Sequence, residues 1–76
     1  MYACALSKAP HTKRFSITDT GRAWVIIEEE DSAVVRRVVY DDWHRVERAR
    51  KLFVRTVATL RQNGWTDTNL LREPVS

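Results

Sequence analysis

His44 and Glu47 stand three residues apart in the run Asp42-Trp43-His44-Arg45-Val46-Glu47, a spacing that puts an imidazole and a carboxylate on one face of a helix. That is half of a metal site at best. A structural or catalytic zinc takes three or four protein ligands, and the sequence offers no second cluster to complete one, so no metal is expected. His44 with Asp42 could supply two members of a nucleophilic triad, but no Ser or Cys is placed to be attacked, and a carboxylate at a helix start already has backbone N–H groups to cap. Two glycines, Gly21 and Gly64, are too few for a phosphate-cradling loop. The lone Cys4 cannot close an intrachain disulfide, and reads as a small buried apolar residue in a reducing compartment. A chain of 76 residues has little interior from which to carve a catalytic cavity, so neither a catalytic residue nor a cofactor is expected.

Charge segregation is the stronger chemical signal. Between Arg45 and Arg61 the sequence carries Arg45, Arg48, Arg50, Lys51, Arg55 and Arg61 against Glu47 alone, while Glu28, Glu29, Glu30 and Asp31 form an acidic run. His44, Arg48, Lys51 and Arg55 recur at spacings of four, three and four, so they share one stripe of a helix. Such a stripe is a solvated face, a docking face for a protein or nucleoprotein partner, or a track of contacts to nucleic acid phosphates. His11, Lys13 and Arg14 are read as a solvated arm rather than an extension of a phosphate footprint. An acidic run on the same small domain would repel a polyanion unless it faced away, and no base-reading motif is present. Arg and Trp dominate interface energetics, and Trp65 is the tryptophan expected to be partly exposed, with locking of the helix end as its other role.

The element that must hold this stripe runs from Asp42 to Gly64. Trp43, Val46, Ala49, Phe53, Val57 and Leu60 follow a period of 3.6 and predict one buried face. Asp41 or Asp42 can cap the start, and Asn63-Gly64-Trp65 fits a stop on a left-handed glycine with Trp65 touching Leu60. Glu47 and Lys51 are placed as a four-apart ion pair.

Upstream, Met1 to Leu6 reads as a short edge strand and Ser7 to Lys13, with Pro10, as a linker or irregular arm. Residues 14–18 alternate as a half-buried strand with Phe15 and Ile17 inward, and Asp19-Thr20-Gly21 is a turn. Residues 23–29 are continuously apolar and β-branched, which predicts the central and most buried strand. Residues 34–40 make its hairpin partner, and pairing Glu28 with Arg36 sets Ile26 opposite Val38 and Trp24 opposite Tyr40. A two-residue loop would shift that register by one. Thr66 to Asn69 offers caps for a short helical turn, with Leu70 and Leu71 folding back under the sheet.

The expectation is one α+β domain, residues 1–76: an arm over 1–13, a three-stranded antiparallel β-meander over 14–40, a helix over 42–63 and a tail over 66–76. Hydrophobic residues at 43% argue for a folded chain, and thirteen Lys and Arg against ten Asp and Glu give a net charge of +3 that permits an acidic partner. No apolar run approaches a membrane span or a signal-peptide core, so a cytoplasmic protein is expected. The order strand, strand, amphipathic helix and then Gly64-Trp65 resembles the last half of WGR modules, which accompany poly-ADP-ribosylating enzymes and contact DNA. The Trp-Gly-Arg triplet itself is absent, Gly21-Arg22 lies ahead of the strand, and no functional residue carries across. The expected function is that of a small non-enzymatic binding protein acting through His44, Arg45, Arg48, Lys51, Arg55 and Trp65 on a protein or nucleoprotein partner, as an accessory or inhibitory factor. The alternative is non-specific nucleic-acid binding through the arginine-rich helix.

Overall fold

The structure, a computed structural model, describes residues 2–68. Its elements in chain order are β1 (Tyr2–Lys8), β2 (His11–Asp19), β3 (Trp24–Glu30), β4 (Ala33–Tyr40), α1 (Trp43–Gln62) and β5 (Thr66–Asp67). They form one antiparallel sheet in the order β4-β3-β2-β1-β5, with α1 laid across one face. The α+β class holds, and the three-stranded meander is corrected to five strands.

Two segments account for the extra strands. Ser7 to Lys13 is no linker: Lys8 pairs with His11 around an Ala9-Pro10 turn, where a proline's missing N–H costs no ladder bond. Thr66 and Asp67 do not start a helical turn but pair with Ser7 and Leu6, and the Thr68 N–H donates to the Ala5 carbonyl at 2.9 Å. Leu70 and Leu71 lie outside the described residues.

Alternation places Cys4 and Leu6 of β1, Phe15 and Ile17 of β2 and Ile26 of β3 under α1, which contributes Val46, Phe53 and Val57. Phe53 is the hub, its ring 5.1 Å from Phe15 and 5.9 Å from Tyr2 between centroids. The sheet's centre is therefore β2. The expectation that residues 23–29 form the central, most buried strand is corrected: β3 buries only Ile26, because no element among the described residues covers its other face, where Val25 and Ile27 stay half-exposed.

The β3–β4 hairpin keeps the anticipated pairs by an unanticipated route. Asp31 and Ser32 form a two-residue turn with φ of 53° and 70°, the left-handed pair that suits a tight hairpin. Alone, this turn would have slipped the register. A bulge at Val35 takes up the extra residue, so Glu29 pairs with Val34 while Glu28 still meets Arg36, Ile26 meets Val38 and Trp24 meets Tyr40.

Helix α1 begins where Asp42 accepts from the His44 N–H at 3.0 Å. It ends on Gly64 at φ +98°, with the Gly64 N–H donating to Arg61 and the Trp65 N–H to Leu60, a Schellman stop. Within it Glu47 pairs with Arg50 at 2.7 Å rather than with Lys51, so the expected four-apart pair gives way to a three-apart one with two guanidinium contacts.

Candidate macromolecule-binding face

Val46, Phe53 and Val57 fix which side of α1 is buried. At about 100° per residue, His44, Arg48, Lys51 and Arg55 fall on the opposite side, and all four are exposed. Between that stripe and the core run two shoulders. Arg45 sits 6.0 Å over the Tyr40 ring, which points its shoulder toward β4, while Arg61 binds Asp67 of β5 with contacts of 2.7 Å and 3.0 Å on the other side.

The stripe is cationic because, among the described residues, no acid is paired with it. Glu28 is held by Arg36 at 3.1 Å, Glu30 by Lys13 at 2.9 Å, Asp31 by His11 at 3.2 Å and Glu47 by Arg50. Among the described residues, the side chains of Arg48 and Arg55 have neither ion pair nor hydrogen bond. The Arg50 guanidinium bound to Glu47 holds that carboxyl below its usual range and raises the guanidinium's own pKa. At the hairpin tip, the Thr12 N–H and then His11 hold Asp31 below its ordinary value. Three of the four acids of the run, Glu28, Glu30 and Asp31, are thus partnered, and His11 and Lys13 are partners within β2 rather than a basic arm.

Of the six residues expected to bind, the fold brings five onto or beside one helix face: His44, Arg45, Arg48, Lys51 and Arg55. Trp65 is set apart. It is half-buried, lines a shallow groove with His11, Lys13, Glu30 and Asp31, and carries the Lys13 ammonium 5.5 Å from its ring centre. The aromatic that lies open on α1 is Trp43, 50% exposed and resting against Trp24 at 5.4 Å between centroids, rather than wholly within the buried face. Leu52 and Val54 flank the stripe, also about half-exposed. Their signal was in the sequence, since both fall off the three-and-four spacing of the core positions.

Asp42 caps the helix, Glu47 is bound to Arg50, and among the described residues no group of three His, Cys, Asp or Glu is placed to hold a metal. Burial first, and nearby Asp67 after it, raises the Cys4 thiol. No helix among the described residues is long and apolar enough to cross a membrane.

No family model, no curated protein and no solved structure matches this chain.

Proposed function

We propose that the protein is a small non-enzymatic binding module that docks the cationic face of α1 on an acidic surface of a protein or nucleoprotein partner, as an accessory or inhibitory factor. The observation that carries this reading is the pairing pattern. Arg36, Lys13, His11, Arg50 and Arg61 are each held by a carboxylate, whereas the exposed Arg48 and Arg55 are not. Docking an unpaired arginine on an acid breaks no existing contact, so the face gains its full electrostatic complementarity. Trp43, Leu52 and Val54 on the flanks supply apolar area that suits a protein surface and has no use on a phosphate backbone.

The second reading, phosphate contact along a nucleic acid, gains from one observation. Glu28 and Glu30 at the hairpin are paired with Arg36 and Lys13, and Asp31 is hydrogen-bonded to His11, so the acidic run opposes a polyanion less than its sequence implies. The two readings separate in one experiment. Affinity capture from nuclease-treated cell extract, with wild type and Arg48→Glu/Arg55→Glu side by side, yields a partner that the double variant loses if the first reading holds. Binding to mixed DNA and RNA that falls steeply with salt, with nothing retained after nuclease, rejects it in favour of the second.

A further inference from the structure

We infer that the free edge of β4 is where the partner engages: an extended segment with two adjacent acidic residues beside two adjacent apolar ones adds to the sheet as a strand beside β4. This rests on the reading that α1 meets an acidic protein surface, and names the mode of contact. The two ends of the sheet differ. At one, β1 is met by the short strand β5; at the other, β4 runs eight residues with no strand beyond it among the described residues. Alternate N–H and C=O groups of such an edge point outward and are available to an added strand.

Charge selects the occupant. From Ala33 to Tyr40 the strand contains Arg36 and Arg37 and no acid. Arg36 lies on the helix side with Val38 and Tyr40, and Arg37 on the open side with Val39. Arg45 leans over Tyr40, and Leu52, seven residues further along α1, lies on the same shoulder. A strand laid along β4 therefore meets arginine and aliphatic surface on both of its faces, and on one of them the flank of α1 as well. An acidic side chain opposite Arg37, which has no ion pair among the described residues, and a second opposite Arg36, which Glu28 engages through Nη1 alone, with apolar ones opposite Val38 and Val39, satisfy cross-strand pairing. A second copy of this chain centred on either arginine would set arginine against arginine. The bulge at Val35 further confines regular pairing to the stretch from Arg36 to Tyr40. Backbone bonds then supply affinity, and the alternating side chains supply selection.

The probe is a display library of short random peptides panned on the intact protein, followed by amide hydrogen exchange with the best binder. Enriched peptides should carry two adjacent Asp or Glu next to two adjacent Val, Ile or Leu and lack internal proline, and should slow exchange at alternate amides between Arg36 and Tyr40 by about tenfold or more. Arg37→Glu should weaken the same peptide by about tenfold while leaving thermal stability in place. Several results overturn the inference: no enrichment, enriched peptides of helical period, or sedimentation showing that the free protein pairs with itself. Protection confined to α1 would also sink strand addition, yet leave the helix-face reading standing. Conversely, slowed exchange along β4 with no loss of affinity in Arg48→Glu/Arg55→Glu would keep the strand site and remove the helix face.

Discussion

The Glu28 carboxylate meets the Arg36 guanidinium at 3.1 Å across β3 and β4, and it does so because Val35 is bulged out between them and the Asp31-Ser32 turn. The pair is exposed enough that its own contribution is small, tenths of a kcal/mol to about 1. Its value is as a marker of register. Every helix-facing residue of β4 depends on the same alignment, since a slip of one residue would turn Val38 and Tyr40 away from the core.

Removing Val35 should therefore be mild. The shortened strand can pair Val34 with Glu29 and Arg36 with Glu28 without a bulge, at a cost within about 1 kcal/mol. Deleting Val38 leaves no such escape. Either Arg37 is driven over Ile26 or Tyr40 leaves Trp24, and the loss should reach several kcal/mol. Urea unfolding of the two deletions, followed by tryptophan fluorescence, measures the difference.

Gly64 holds the helix stop at φ +98°, and an added Cβ would meet the Lys8 side chain at 3.5 Å, an ordinary contact. Backbone conformation, not crowding, is the penalty. Gly64→Ala should cost roughly 1 kcal/mol and Gly64→Val more, with lower melting temperatures by circular dichroism.

Phe53 is 3% exposed and stacks against both Phe15 and Tyr2, so Phe53→Ala should cost about 3 to 5 kcal/mol. Arg48→Glu/Arg55→Glu breaks no described pair and should stay within about 0.5 kcal/mol of wild type. Chemical denaturation of both variants checks that the stripe can be altered without touching the fold.

Asp31 is held below its ordinary value of 3.8 by the Thr12 N–H and His11. A lowered carboxylate contributes stability that is fully present above that ordinary value and is lost as pH falls through the lower folded value. Hairpin-tip amides should thus lose protection, measured against their intrinsic exchange rates, below about pH 4 in wild type. In Asp31→Asn that acid-dependent component should be absent, as read by amide exchange across the same pH range.

Much of this architecture is legible in residue order because period and boundary chemistry agree along α1. Asp42, the 3.6-residue spacing through Phe53 and Val57, and Gly64-Trp65 all fall where they were expected. The register of β3 on β4 follows from the charge, aliphatic and aromatic pairs, although the bulge that permits it has no marker in a run of similar valines. Strand β1 is legible as far as Leu6, but its extension and hairpin with β2 escape because Pro10 looks like a breaker until Lys8 and His11 are known to face each other. Strand β5, which takes the edge position from β1, escapes because Thr66-Asp67 has cap chemistry that tertiary pairing overrides. The stripe itself is local to one helix and so is visible from spacing. That the hairpin acids are spent on Arg36, Lys13 and His11 depends on contacts between strands, which spacing does not carry.

The central claim is that Arg48 and Arg55 contact the partner. Its most direct measurement is the affinity of the captured partner for wild type, for Arg48→Glu/Arg55→Glu, and for Arg14→Glu as a single charge-reversal control on the open sheet face. The account predicts that the double reversal weakens binding by about a hundredfold or more while Arg14→Glu leaves it nearly unchanged. Equal affinity for all three proteins would contradict it.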